Sequence, residues 1–326
     1  MHYFYFLLNL LSSINKIGLY QDLYVLEIKS LWKISTTMNH SWLDTTEYPF
    51  KHHYFDVNIS KMHYIDEGQG ETILFVHGTP SWSFDYRHII KALSTQYRCI
   101  AIDHIGFGLS DKPKTYDYST QNHSKTLEQF VDFLGLTDFT LVVHDFGGVI
   151  GLDMAIRNPD KIKKLVIFNS WLWSSKTDKD FIKFSRILKS PLLPILYRYF
   201  NFSTRFVLPK SFGKIKINKH IHQQYVLPFS KSSQREGTIA FAKSLLNDQD
   251  WFEELWKKRF SIYQKPTLFI WGMKDPVIKP HYLEKFLTGF PNSQVKRFEN
   301  CGHFPQEENP NETIECIFNF LKMSIS

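Results

Sequence analysis

Thr140-Leu141-Val142-Val143-His144-Asp145-Phe146-Gly147-Gly148 decides how this chain is read. An apolar run of strand character ends on an acid, and a pair of glycines follows at once. Where a strand doubles back into a helix that abruptly, only hydrogen fits beyond the corner, and Gly147 and Gly148 supply it. The residue at such a corner is presented as a nucleophile. A serine there needs a histidine to take its proton, whereas an aspartate, ordinarily with a pKa of about 3.9, is already an anion at neutral pH. The corner predicts attack on carbon by a carboxylate oxygen and an alkyl-ester intermediate. Taken alone, Asp145 is also a favourable helix N-cap; the paired glycines and a histidine far downstream favour the nucleophile.

On both sides of this corner the pattern is regular. Tyr54 to Val57 and Met62 to Ile65 alternate and suit an antiparallel hairpin. Short apolar strands then recur at Thr72–Val76, Cys99–Ile102, Thr140–Val143, Leu165–Phe168, Thr267–Trp271 and Gln294–Phe298. They alternate with helical stretches at His88–Leu93, Thr126–Leu134, Val149–Ile156 and Glu312–Leu321. Continuous apolar strands between helices indicate an α/β fold, a mostly parallel sheet covered on both faces. From Asn169 to about Phe260 the alternation stops. Helical periodicity, many aromatics and the prolines Pro191, Pro194, Pro209 and Pro228 replace it, which reads as an inserted helical cap over 170–260 between core segments 38–169 and 261–326. A cap there lies over the carboxyl ends of the strands, where ligands bind in such sheets, and excludes water from the chemistry.

Composition narrows the function classes. At 326 residues and 43% hydrophobic, the chain can bury one large core. Cys99, Cys301 and Cys316 are too scattered for a disulfide framework, which points to a reducing, cytoplasmic setting. No C-x-x-C or H-E-x-x-H motif occurs, so neither a metal nor a cofactor is expected. The net charge of +7 is concentrated: Trp171 to Phe260 carries 17 Lys/Arg against 7 Asp/Glu. The lysines stand singly among apolar residues without aromatic platforms, so a solvated helical face is expected and nucleic acid is not. Residues 1–37 are an uncertain extension. Tyr3 to Leu11 is too short to span a bilayer and no Lys or Arg precedes it, and Met38 stands just ahead of the first clear pattern.

Two further signals follow strand ends. Asp275 lies in Trp271-Gly272-Met273-Lys274-Asp275-Pro276, and His303 in Cys301-Gly302-His303-Phe304. Nucleophile, then acid, then histidine is the chain order of α/β-hydrolase triads. Together with His77-Gly78-Thr79-Pro80, Asp103-x-x-Gly106-x-Gly108-x-Ser110 and the corner itself, these motifs resemble the α/β-hydrolase superfamily, and within it the haloalkane dehalogenase branch, over about Trp42 to Leu321. The resemblance implies the α/β-hydrolase fold with an eight-stranded, mostly parallel sheet. It makes Asp145 the nucleophile, His303 the base that activates water and Asp275 the acid that orients the imidazole. Backbone N–H groups of Phe146 and Thr79 are then the expected oxyanion or halide contacts. The implied partners are a small apolar electrophile and water; no obligate protein partner is evident.

The chain departs from that branch at the halide site. Phe146 stands where the branch usually places a Trp after the nucleophile, and Thr79 where it often has Asn. Phe offers no N–H, and losing one charge-assisted donor costs about 1.5–3 kcal/mol of anion binding. No Trp occurs from 174 to 250, so Trp171, Trp173, Tyr225 and Phe212 are the candidate cap contacts. Two alternatives stay open. One is epoxide hydrolysis, with Tyr197, Tyr199 or Tyr225 protonating the leaving alkoxide. The other is a receptor that holds a small ligand on a hydrolase fold without turnover.

Overall fold

The strand beneath the corner is buried along its whole length, as a strand covered on both faces must be. In the computed structural model of the chain, which describes residues 41–323, it spans Phe139–Val143. It is β5 of eight: β1 (His53–Val57), β2 (Ser60–Glu67), β3 (Thr72–Val76), β4 (Arg98–Ile102), β5, β6 (Ile162–Phe168), β7 (Thr267–Gly272) and β8 (Ser293–Phe298). They form one sheet in the order β1-β2-β4-β3-β5-β6-β7-β8. β1 and β2 pair antiparallel, as do β2 and β4; from β4 to β8 every neighbour is parallel. The expected hairpin and the six later strands all form, each within a few residues of its apolar run. The chain order reverses about β3, and a crevice at the carboxyl ends of the strands there is where ligands bind in open sheets.

Alternate residues of the central strands feed two layers. Leu74 and Val76 of β3 and Leu141 and Val143 of β5 share a core with Leu127 and Phe130. These last two belong to α2 (Thr120–Phe133), which packs on α3 (Phe146–Arg157). On the other side Phe75 meets the Tyr86 ring, just before α1 (Arg87–Leu93). α2 starts six residues earlier than its apolar pattern, because Ser119 caps it by accepting a hydrogen bond from the Asn122 N–H at 3.2 Å.

Between β6 and β7 the sheet pattern gives way to helices: α4 (Lys179–Leu188), α5 (Leu193–Phe200), α6 (Lys219–Val226), α7 (Glu236–Asn247) and α8 (Gln249–Lys258). Asp178 caps α4 by accepting from the Asp180 and Phe181 N–H groups. Leu188, Leu193, Tyr197, Ile239 and Ala242 make a small core of their own among α4, α5 and α7. After β7 come α9 (Pro280–Gly289) and, past β8, α10 (Pro310–Leu321), which packs on α1. Residues 1–37, read from sequence as an uncertain extension, lie outside the described residues.

Candidate active site

Asp145 sits between β5 and α3 with φ 52° and ψ −126°, a region few side chains enter. Neighbouring groups hold it there. Its N–H donates to the Asn169 carbonyl at 3.0 Å, and its carbonyl accepts from the Ser170 hydroxyl at 2.7 Å. The glycines answer the crowding expected at the corner: a Cβ on Gly147 would strike the Val76 carbonyl oxygen, and one on Gly148 the Ser170 hydroxyl. Strain of this kind persists only where the surroundings over-determine it, as they do here.

The carboxylate is gripped at both oxygens. Thr79 N–H donates to Oδ1 at 2.8 Å, and Oδ2 lies 3.4 Å from His303 Nε2. On its far side His303 donates from Nδ1 to Asp275 Oδ2 at 2.6 Å. Asp275 is fixed in turn: its Oδ1 accepts from the Val277 and Ile278 N–H groups, and its Oδ2 also accepts from Asn169 Nδ2 at 2.9 Å. Burial opposes charge on the His303 ring, but the carboxylates of Asp275 and Asp145 on its two sides outweigh that and push its pKa up to about 10. Burial works against the Asp145 anion as well. The His303 hydrogen bond and charge overcome it and hold the carboxyl below its ordinary value. In the resting site Asp145 is therefore an anion and His303 an imidazolium at neutral pH.

Several supporting groups were not assigned from sequence. Asn169 accepts from Gly272 N–H at 2.8 Å through Oδ1 while its amide holds Asp275, tying the ends of β6 and β7 together. Glu308 accepts from Gly302 N–H at 2.7 Å and Gly213 N–H at 2.9 Å, so one carboxylate joins the His303 loop to the segment after α5. Asn169 is one polar residue at the end of an apolar run and Glu308 one of several in a polar run, and neither carries a spacing signal. His77 does a turn's work: its Nδ1 bonds the Gly78 carbonyl and its Nε2 accepts from His104 N–H. His144 is packed behind the site, with Nε2 on the His303 carbonyl at 2.8 Å and Nδ1 3.1 Å from Asp85.

A cavity of about 70 Å³ opens in front of Asp145 and His303. Phe146, Leu188, Val207, Ala242 and Phe304 give it apolar walls, and hydroxyls of Thr79, Tyr197, Ser203, Ser211 and Thr238 stud them. The Thr79 hydroxyl oxygen is buried without a partner. Leu245 and Val277 separate this cavity from a larger one of about 280 Å³, lined among others by Trp171, Phe181, Ile187 and Tyr282.

The four cap contacts expected from sequence take other places. Trp171 borders the larger cavity and sets its ring edge against Phe146 at 4.9 Å. Trp173 is enclosed by Trp256, Tyr282 and Phe286. Phe212 stacks on Phe304 at 5.2 Å, one layer behind the wall. Tyr225 instead donates its hydroxyl to Glu307, which is paired with Arg87, at 3.0 Å and to Asp85 at 3.3 Å. Of the three tyrosines considered as acids, Tyr197 alone borders the cavity; Tyr199 is exposed. Burial pushes the Tyr197 hydroxyl up to about 12, so it is a phenol and a donor at neutral pH.

Comparison with known proteins agrees with this geometry. A family profile described as alpha/beta hydrolase fold matches residues 71–310. A cis-3-alkyl-4-alkyloxetan-2-one decarboxylase of Shewanella oneidensis is 38% identical over 282 residues, covering 84% of this chain and 89% of that one. Haloalkane dehalogenase 2 of Mycobacterium bovis is 33% identical over 278 residues, covering 84% and 96%. The crystal structure of the haloalkane dehalogenase DatA from Agrobacterium tumefaciens C58 superposes with a TM-score of 0.74 over 83% of this chain and 96% of that one; at 24% identity it speaks for the fold alone.

Proposed function

We propose, from the premise that this chain belongs to the α/β-hydrolase family and to its haloalkane dehalogenase-like branch, that it cleaves a carbon-to-leaving-group bond in a small apolar substrate, a halogenated one first, through an ester on Asp145. One observation supports this above all others: a carboxylate held by Thr79 N–H, 3.4 Å from an imidazole whose far nitrogen is bound to a second, buried carboxylate.

The steps follow from charge. An Asp145 oxygen attacks the substrate carbon, a C–O bond forms, and the leaving group departs with the electron pair of the broken bond. Esterification removes the Asp145 charge, and with it one of the two carboxylates that keep His303 protonated. The imidazolium then gives its proton to solvent, and the neutral ring takes another from water, which attacks the ester carbonyl carbon. Oxyanion charge develops on the oxygen beside Thr79 N–H. Phe146 N–H is the second donor, since the first N–H groups of a helix have no partner within it. On collapse the alcohol leaves with the proton from His303, and the hydroxyl now on the Asp145 carboxyl gives its own proton to the freed ring, which returns Asp145 as carboxylate and His303 as imidazolium.

A second reading draws on the leaving group. The walls offer hydroxyls and no Trp or Asn N–H for a halide, and the 38% relative is named for decarboxylation of an oxetan-2-one. In such a ring the leaving group is the substrate's own carboxylate. Asp145 opens the ring at carbon, the freed carboxylate then loses CO2, and the electron pair of the broken C–C bond forms an alkene while Asp145 departs. Three free cysteines fit a reducing, cytoplasmic setting for either reaction.

The test is a panel of haloalkanes, epoxides and 3,4-dialkyl oxetan-2-ones, followed by halide, diol and CO2 release beside a His303→Gln variant. Under the hydrolytic reading the variant forms its ester and stalls, and mass spectrometry finds the alkyl group on Asp145. Under the decarboxylative reading CO2 appears without an accumulating ester. An adduct on a serine, or ligand binding without any release, overturns the proposal.

A further inference from the structure

The outer face of α4 and α5 does not look like the solvated surface its lysines suggest. α5 is apolar on two sides, its one charge, Arg198, being paired with Glu236. Leu193 and Tyr197 point into the small core of the inserted helices, yet Leu192, Ile195 and Tyr199, spaced as one stripe on the opposite side, are 61, 47 and 66% exposed. Phe200 at 58% and Phe206 at 46% extend the stripe, and Ile182 and Ile187 continue it on α4. More than half of the large exposed hydrophobics among the described residues fall within 182–206. A helix apolar on both sides normally has both sides covered, and an exposed patch this concentrated marks an interaction surface.

Charge selects the occupant. Residues 179–210 hold seven Lys/Arg and one acid, Asp180, which Lys279 neutralises at 2.7 Å. Arg186 and Lys189 are exposed beside Ile187 and Leu192. Apolar side chains ringed by cations are what an interfacial helix presents to acyl chains and to anionic headgroups at once. A second copy of the chain would bring the same positive charge to the contact. Nucleic acid would leave the Leu192, Ile195 and Tyr199 stripe without a role, since binding there rests on phosphate contacts. Ile187 and Lys183 also line the larger cavity, so the surface adjoins an opening toward the site.

We infer that the outer face of α4 and α5, centred on Leu192, Ile195 and Tyr199 and flanked by Arg186 and Lys189, docks this protein on an anionic bilayer surface, with the larger cavity at the contact. No helix among the described residues is long and apolar enough to cross a membrane, so this is attachment at the interface. The surface stands independently of what the catalytic cavity turns over.

Vesicle flotation of the full chain tests it, using vesicles of phosphatidylcholine alone or with roughly one-third phosphatidylglycerol. The full chain is expected to float with the mixed vesicles at low salt and to lose most of that binding at high salt or on neutral vesicles. Ile195→Asp with Tyr199→Ser should lower binding about tenfold or more, as should Arg186→Glu with Lys189→Glu, because both the apolar area and the charge contribute. Both pairs are exposed, so far-UV circular dichroism is expected to match the parent, and comparing full-length chains cancels any contribution of Tyr3 to Leu11. Failure of the parent to float, or flotation untouched by both pairs, overturns the inference. So does a dimer in sedimentation equilibrium that Ile195→Asp dissolves without any vesicle binding, or retention on duplex DNA that only the charge reversal abolishes.

Discussion

The strand ends and the helices inserted between β6 and β7 meet at one cavity but are built on opposite terms. At the strand ends every reactive group is pinned: Asp145 by Thr79 N–H, Asp275 by the Val277 and Ile278 N–H groups, His303 between two carboxylates. The inserted segment contributes mostly side chains, an apolar wall with hydroxyl-bearing residues inside and an apolar, basic stripe outside. Chemistry is thus set by a frame that tolerates little change, and substrate choice and location by helices that tolerate much. Asp145→Ala should break the first half of that comparison most severely. Removing the nucleophile while leaving the frame is expected to lower turnover by about 10⁴-fold or more, with the cavity intact and ligand affinity nearly unchanged. Turnover assays beside equilibrium binding check this; a variant within tenfold of the parent would show that the bond to substrate is made elsewhere.

Phe146 stands on the seam, belonging to α3 by position and to the cavity wall by contact. Its ring lies against Trp171 at 4.9 Å and Phe241 at 4.7 Å, and that side chain has no N–H to offer the departing group. Phe146→Trp adds one. If halide departure limits the reaction, that donor should raise halide release roughly tenfold to a hundredfold, the worth of one charge-assisted hydrogen bond of about 1.5–3 kcal/mol. CO2 release from an oxetan-2-one should gain little or fall, because the larger ring crowds a small cavity. Comparing the two release rates in parent and variant sharpens which leaving group the seam is built for.

The same division explains what could be read without coordinates. Strand burial writes itself into apolar runs, and the corner is legible because only glycine survives against the Val76 carbonyl and the Ser170 hydroxyl. Hence the sheet and the order of Asp145, Asp275 and His303 could be read from the chain alone. Asn169 and Glu308 could not, because a lone amide after an apolar run and one acid among several in a polar run look the same whether they brace the site or meet water. The inserted helices obscured more. Trp171, Trp173, Tyr225 and Phe212 are the cap aromatics a chain without Trp from 174 to 250 offers the site, but aromatic rings seek one another wherever the helices let them. Trp173 is accordingly enclosed by Trp256 and Phe286, and Tyr225 serves Glu307. Helical periodicity also gave no warning that α5 would show an apolar stripe to the outside, since that stripe reads in sequence as core.

The smallest effect concerns charge at the strand ends alone. Folding takes His303 from an ordinary pKa of 6.5 up to about 10, so its protonation favours the folded state; the contribution is complete below 6.5 and is lost as pH rises toward 10. Asp145 moves the other way. Its folded pKa lies below 3.8, so its contribution is present above 3.8 and is lost only in acid, as pH falls through the lowered value. The two overlap fully between 3.8 and 6.5. His303→Gln removes the first contribution, so the difference in melting temperature between parent and variant should be greatest near pH 6 and narrow steadily toward pH 10. Tyr197 on the inserted helices should add nothing to that drift, since it titrates only at about 12. A Tyr197→Phe variant that flattened the profile as strongly as His303→Gln would place the titrating charge in the inserted helices and undo the separation drawn between the two regions.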